Sequence, residues 1–322
     1  MKLIIIALLG FVLSLVILVL LMPPYIRQLK NHNLNQQVSE YALEEYKQKA
    51  KTPIMGGLLF VLIPTIVFFV ITPNVFYDRN CLFVILSFLS FCLVGFIDDA
   101  IILLRRNNLG LSPVVKLVME FIFACALYLG FRDLISTEIT IPFIHLSFDL
   151  GILYPLLMIL MYLSEANAVN FTDGMDGLCA GVSFISLVPF IIFALTATNY
   201  NLIILIACVM GGLLGYLFFN FHPAKIFMGD SGSIALGGLF SALAVVLHKE
   251  IALIFVGGVF VLEMLCVVIQ QLAVRIFHRR VFSYTPIHYA FVLKGHPEVK
   301  VVFGFYLLTC IFAVIGFVIG IF

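Results

Sequence analysis

The chain has 322 residues, of which 63% are hydrophobic and 11% charged, with a formal net charge of +1. Soluble globular domains carry about 25% charged residues, so the composition excludes an ordinary water-soluble domain. With no basic excess, no nucleic-acid polymer is expected as a partner.

The apolar residues gather into runs of roughly 20, the length that crosses a bilayer. In chain order, spans are predicted near 3–22, 54–73, 81–97, 113–131, 143–163, 178–196, 201–219, 232–248, 251–274 and 301–322. The expected fold class is all-α: a polytopic integral membrane helix bundle of about ten transmembrane helices, with residues 1–322 as one domain. The first apolar run is too long for the h-region of a cleavable signal, and Pro23-Pro24 ends it where no small-x-small site follows.

Loop charges orient the bundle. Arg27, Lys30, Lys47, Lys49 and Lys51 lie between spans one and two, and Arg105, Arg106 and Lys116 in or beside the next odd-to-even connection. Lys225 lies between spans seven and eight; Arg275, Arg279, Arg280, Lys294 and Lys300 lie in or beside the last connection. The opposite side carries Lys2, Arg79, Arg132 and Lys249. The positive-inside rule puts the odd-to-even loops in the cytoplasm and both termini outside. Residues 31–50 are polar and rich in Gln, Glu and Lys, and are expected to be the mobile loop. The seven cysteines are scattered, without zinc-site spacing or a disulfide pattern, and read as small packing residues.

The polar motifs fall in the same set of loops. Asp98-Asp99 is expected to close the third span, where a helix C-terminus disfavours acids and a cation would relieve their repulsion. Asn167, Asn170, Asp173 and Asp176 recur every three residues, which is either one polar helical face or an ordinary Asp-Gly turn. Phe227-Met-Gly-Asp230-Ser-Gly-Ser233 opens the eighth span, as a helix cap or as a Gly-rich turn whose N–H groups meet a phosphate. Thr52-Pro-Ile-Met-Gly-Gly57 reads as a Pro turn with small residues for close helix packing. Glu120 and Glu263 are acids inside spans; Glu263 is read as a hydrogen bond that fixes a helix bend or a neighbour, with Gln270 and Gln271. His288 is singled out among seven histidines because it follows Pro286 in the basic last loop; the others read as surface or interface residues. Carboxylates collected at one membrane face beside Lys and Arg suggest a divalent metal and a phosphorylated substrate.

Together these residues resemble the polyprenyl-phosphate N-acetylhexosamine-1-phosphate transferase superfamily, from about Lys51 to Phe305. Asn167–Leu178 and Asn220–Ser233 are the most specific segments, with the pair Asp98-Asp99. Thr52–Gly57, Thr285–His288 and Leu293–Glu298 are similar to the branch that handles phospho-N-acetylmuramoyl-pentapeptide. The resemblance implies a ten-helix bundle, commonly a homodimer, in the bacterial plasma membrane, with a cytoplasmic cleft. It implies Mg²⁺ as cofactor with Asp230 as its ligand, and Asp98, Asp99, Asp173 and His288 as catalytic positions. Gly174, Asp176 and Phe227 match positions on the uracil; Lys47, Thr52, Lys116, Asn170 and Asn220 match further cleft positions. The implied partners are undecaprenyl phosphate, UDP-N-acetylmuramoyl-pentapeptide and membrane lipid. The implied reaction is attack of the lipid phosphate on the sugar-linked phosphorus, releasing UMP and giving the first lipid-linked peptidoglycan precursor.

Three positions depart from the pattern. Ile102 stands where the family often has Lys, Tyr289 stands in the usual run of histidines, and Lys225 is more like the N-acetylglucosamine-1-phosphate branch. The alternatives are therefore UDP-N-acetylglucosamine as donor and, remotely, a membrane transporter.

Overall fold

A computed structural model describes residues 2–32, 52–105, 110–144 and 146–322. Its helices are α1 (Lys2–Asn31), α2 (Gly56–Ile71), α3 (Arg79–Arg105), α4 (Pro113–Phe131), α5 (Tyr154–Thr172), α6 (Leu178–Thr196), α7 (Tyr200–Asn220), α8 (Asp230–Leu247), α9 (Glu250–Val256), α10 (Gly258–Phe277), α11 (Ile287–Leu293) and α12 (Glu298–Ile321). Among the described residues, nine helices are long and apolar enough to cross a bilayer, and α2 is a shorter apolar helix of 16 residues. The chain is thus an all-α polytopic membrane bundle.

The bundle is built around α8, buried continuously from Ser231 to Val245. Its small residues let neighbouring backbones come close. A Cβ on Gly237 would lie 2.3 Å from Cα of Ala166 in α5, and one on Gly232 would lie 2.7 Å from Cα of Gly57 in α2. Ser87 of α3 donates to the Gly238 carbonyl at 2.9 Å, adding a polar tie inside an apolar interface. α1 packs on α7 by the same device: a Cβ on Gly211 would fall 2.1 Å from the Phe11 carbonyl oxygen.

Four predicted boundaries are corrected. Pro23-Pro24 does not end the first helix: α1 carries both prolines inside it and runs on to Asn31, with Ile26 and Leu29 buried. Asp98 and Asp99 do not close the third span; α3 continues to Arg105, about two turns further. The apolar run Ile101–Leu104 carries the helix on, and each carboxylate has its own partners. The fifth span does not begin near 143. Glu138–Ile141 (β1) and Leu146–Asp149 (β2) form an antiparallel hairpin, and α5 runs from Tyr154 through Asn167 and Asn170 to Thr172. The ninth span is broken: α9 ends at Val256 and α10 starts at Gly258.

One end of the bundle collects the termini of α2, α3, α4, α5, α6, α7, α8, α11 and α12 that carry the polar motifs. The other end is tied by different bonds. Arg79 pairs with Asp133, Asn201 donates to Asp78 at 2.8 Å, and Phe143 N–H donates to the Phe322 carbonyl at 3.0 Å.

Candidate active site

The site starts where α3 meets the first turn of α8. A Cβ on Gly95 would lie only 2.0 Å from the Asp230 carbonyl oxygen, so glycine is what permits this approach. One turn further on, the buried Asp99 carboxylate accepts from the Asp230 and Ser231 N–H groups, both at 3.0 Å. It caps the positive end of α8, and the two charge-assisted bonds sustain its burial. The N–H groups expected to meet a phosphate are thus already occupied by Asp99. Gly229, at φ 75°, completes the turn; a side chain there would crowd Asp99.

The Asp230 side chain points away from that cap, into a polar cluster. One oxygen accepts from Asn170 Nδ2 at 2.8 Å, and the other pairs with the Lys116 ammonium. Lys116 Nζ is also 3.5 Å from Asp98 Oδ2, while Asp98 Oδ1 accepts from Leu111 N–H at 2.7 Å. Asn170 Nδ2 also lies 2.9 Å from Ser233 Oγ. Four helices, α3, α4, α5 and α8, thereby place Asp98, Lys116, Asn170 and Asp230 around one point. One turn along α4 from Lys116, buried Glu120 accepts from Asn167 at 2.9 Å, which fixes the face of α5 that carries Asn170.

The turn after α5 forms the adjoining wall. Burial, with the nearby Asp230 and Asp176 carboxylates, pushes the Asp173 carboxyl up to about 7, against the Gly229 N–H that favours its charge. Gly174 accepts from Tyr289 Oη at 2.8 Å and lies against the His288 ring. His288 is buried, with Nδ1 3.1 Å from Glu263 Oε1.

Asp176 faces a different neighbourhood. Its Oδ2 accepts from Ala224 N–H at 3.1 Å and lies 3.0 Å from His222 Nδ1, while its own N–H donates to Glu298 at 2.8 Å. Asn220 is buried and pins two loops: Oδ1 accepts from Gly177 N–H at 3.0 Å, and Nδ2 donates to the Ile226 carbonyl at 2.9 Å. Phe227 is held by its backbone, donating to the Pro53 carbonyl and accepting from Gly56 N–H, both at 2.8 Å. That pairing sets half-buried Thr52 beside the Phe227 loop. Lys47, and most of the polar 31–50 segment, lie outside the described residues.

The structure therefore brings Asp98, Lys116, Asn170 and Asp230 into direct contact, with Asp99 behind them and Asp173, Gly174 and His288 beside them. Asp176, Asn220, Phe227 and Thr52 belong to the loop network next to this cluster. Glu263 does fix a neighbour as expected, but the neighbour is His288. His222 and Glu298 went unread as partners of Asp176, since residues 46 and 122 positions away in sequence leave no local trace. The Lys116–Glu120 spacing of four was a legible sign of one helix face.

The oxygens of the cluster are those of the Asp98 and Asp230 carboxylates, the hard ligands that Mg²⁺ takes, and a cationic ammonium already sits among them. They fit such an ion. A second set, Asp176, His222 and Glu298, has ligating atoms within 4.8 Å of one another, but Asp176 Oδ2 and Glu298 Oε1 already accept backbone N–H bonds.

The profile of glycosyl transferase family 4 matches residues 81–248, which include Asp98, Asp99, Lys116, Asn170, Asp173, Asp176, Asn220, Phe227 and Asp230. A phospho-N-acetylmuramoyl-pentapeptide-transferase of Halalkalibacterium halodurans is 40% identical over 311 residues, 96% of each chain. Proteins of the same name from Anoxybacillus flavithermus and Bacillus subtilis are each 38% identical, covering 94% and 96% of this chain and 94% and 95% of their own. The chain is a multi-pass membrane enzyme, a phosphoglycosyl transferase, and belongs to the phospho-N-acetylmuramoyl-pentapeptide-transferase family within glycosyl transferase family 4.

Proposed function

We propose that the chain transfers phospho-N-acetylmuramoyl-pentapeptide from UDP to undecaprenyl phosphate, giving UMP and the first lipid-linked peptidoglycan precursor. The observation that carries this is the contact of Asp98, Lys116, Asn170 and Asp230 at one end of a membrane bundle. A lipid phosphate travels at that level while its chain stays in hydrocarbon, so acceptor and water-soluble donor meet there. The names of the relatives supply the donor.

In this reading an oxygen of the lipid phosphate attacks the sugar-linked phosphorus. The bond from that phosphorus to the UMP oxygen breaks, and UMP leaves with the electron pair. The lipid phosphate loses its second proton near pH 6, so a base adds little at neutral pH. Positioning and charge neutralisation carry the rate instead. Asp230, with Asp98 beside it, would hold Mg²⁺, which supplies neutralisation of the pyrophosphate. Lys116 brings a fixed positive charge to the same point, Asn170 orients Asp230, and Asp99 locks the turn that presents it. Phe227, Gly174 and Asp176 are assigned to the uracil. Loop charges place this end in the bacterial cytoplasm and both termini outside. Residues 1–322 act as one transferase domain, and by resemblance to the superfamily it works as a homodimer.

Lys225 favours a second reading, UDP-N-acetylglucosamine as donor. Membership in a transferase family removes the transporter reading. The test is the detergent-purified protein with undecaprenyl phosphate, UDP-N-acetylmuramoyl-pentapeptide and Mg²⁺. UMP and a lipid-linked product are expected, and chelator should abolish both. No turnover of either UDP-sugar would remove the proposal, and full turnover in excess chelator would remove the metal.

A further inference from the structure

Glu263 lies in α10 and is fully buried. Its Oε2 accepts from the Ile287 N–H at 2.8 Å, at the start of α11, and its Oε1 lies 3.1 Å from His288 Nδ1. Both side chains have 0% exposure. The other ring nitrogen, Nε2, has no hydrogen-bond partner. It points at the turn after α5: a Cβ on Gly174 would lie 2.2 Å from it, so only glycine leaves room for the ring. Tyr289 packs on the same ring at 4.2 Å between centroids and ties its own hydroxyl to the Gly174 carbonyl.

These contacts fix the ring chemically. The Glu263 carboxylate accepts from Ile287 N–H and faces Nδ1 as an acceptor, so Nδ1 carries the proton, and the Nδ1–H tautomer leaves a bare lone pair at Nε2. A buried polar atom without a partner is costly. Such an acceptor suits a hydroxyl and repels an ionised phosphate oxygen. Of the two substrates, the lipid phosphate offers only acceptors at neutral pH, whereas the UDP-sugar carries hydroxyl groups.

We propose that Glu263 is a positioning residue for the transfer: it holds His288 with Nδ1–H on its carboxylate, so that Nε2 accepts from a hydroxyl of the bound UDP-sugar beside Asp173-Gly174. The inference rests on His288 belonging to the transfer site. Glu263→Gln cannot serve both bonds, because its NH₂ must face either the Ile287 N–H or Nδ1, and facing Nδ1 moves the ring proton to Nε2.

The test is steady-state kinetics of Glu263→Gln, His288→Asn and the double variant, with a tautomer measurement on the unmodified enzyme. Glu263→Gln should lower kcat/KM for the UDP-sugar about 10- to 100-fold, by analogy with the carboxylate partners that orient metal-bound histidines. The KM for the lipid acceptor should stay unchanged. The double variant should match His288→Asn alone within about twofold, since the two residues act as one unit. Multiplying losses in the double variant, or wild-type kinetics of Glu263→Gln beside an impaired His288→Asn, would overturn the inference alone. Wild-type activity of His288→Asn would instead remove His288 from the site. Should Glu263→Gln fail to fold, nitrogen chemical shifts of labelled histidine in the unmodified enzyme decide. The signal lost in His288→Asn should be the Nδ1–H tautomer, and an Nε2–H or doubly protonated ring would overturn the proposal.

Discussion

Asp98 and Asp99 are adjacent in sequence but face different neighbours, because successive helical side chains point in different directions. Asp99 caps α8 through two backbone bonds, and Asp98 shares Lys116 with Asp230. The two should separate on mutation. Asp99→Asn puts an NH₂ group against a backbone N–H and should lower stability by about 1–3 kcal/mol, read as a reduced melting temperature in detergent. Asp230→Asn should leave the melting temperature near wild type while removing most transferase activity. Equal melting losses in both variants would contradict this division. At Phe227, replacement by Ala should weaken UDP-sugar binding by about 1–3 kcal/mol, the range for base–aromatic stacking, and leave the lipid's apparent affinity unchanged. An equal loss for both substrates would mark Phe227 as a packing residue. Most of the polar cluster was legible at this scale, because an acid or amide in so apolar a chain stands out. The capping role of Asp99 was not, since its partners are backbone groups 131 and 132 residues away.

Helix contacts depend on glycines whose need appears only when the facing element is known. Gly95 and Gly304 are equal in sequence terms, yet a Cβ on Gly95 meets the Asp230 backbone and one on Gly304 meets nothing within 4 Å. Gly95→Ala should therefore cost about 1–3 kcal/mol through overpacking and dislodge the Asp99 cap, reducing both stability and turnover. Gly304→Ala should change neither, and comparable loss from both would refute this account of the α3–α8 contact. The apolar runs made most helices legible, but averaged hydrophobicity hid two features. In Ile144-His145-Leu146-Ser147-Phe148-Asp149 the apolar residues alternate, the strand period, and the hairpin forms where a span was expected. The break at Gly257 lies inside an otherwise apolar stretch, where the Gly257-Gly258 pair marks it but averaged hydrophobicity passes over it.

Across the whole molecule, every described polar motif reaches one end of the bundle, and the proposed orientation, drawn from the loop charges, turns that end to the cytoplasm. Single-cysteine labelling in intact cells, in a background freed of native cysteines, should protect positions near Asp176 and Asp230 from an impermeant reagent and expose Phe322. Labelling of the Asp230 loop from outside would reverse the orientation. Under the proposed function the same end binds a donor with a peptide attached, and the exposed Arg279, Arg280 and Lys294 beside α11 would offer charge to its carboxylates. That requirement turns the central claim into a ratio. The decisive measurement is kcat/KM of the purified enzyme for UDP-N-acetylmuramoyl-pentapeptide over UDP-N-acetylglucosamine, with undecaprenyl phosphate as acceptor. A preference for the peptide-bearing donor of well over about tenfold is predicted, more than roughly 1.4 kcal/mol in transition-state binding. Turnover of UDP-N-acetylglucosamine that equals or exceeds it would contradict the proposed donor.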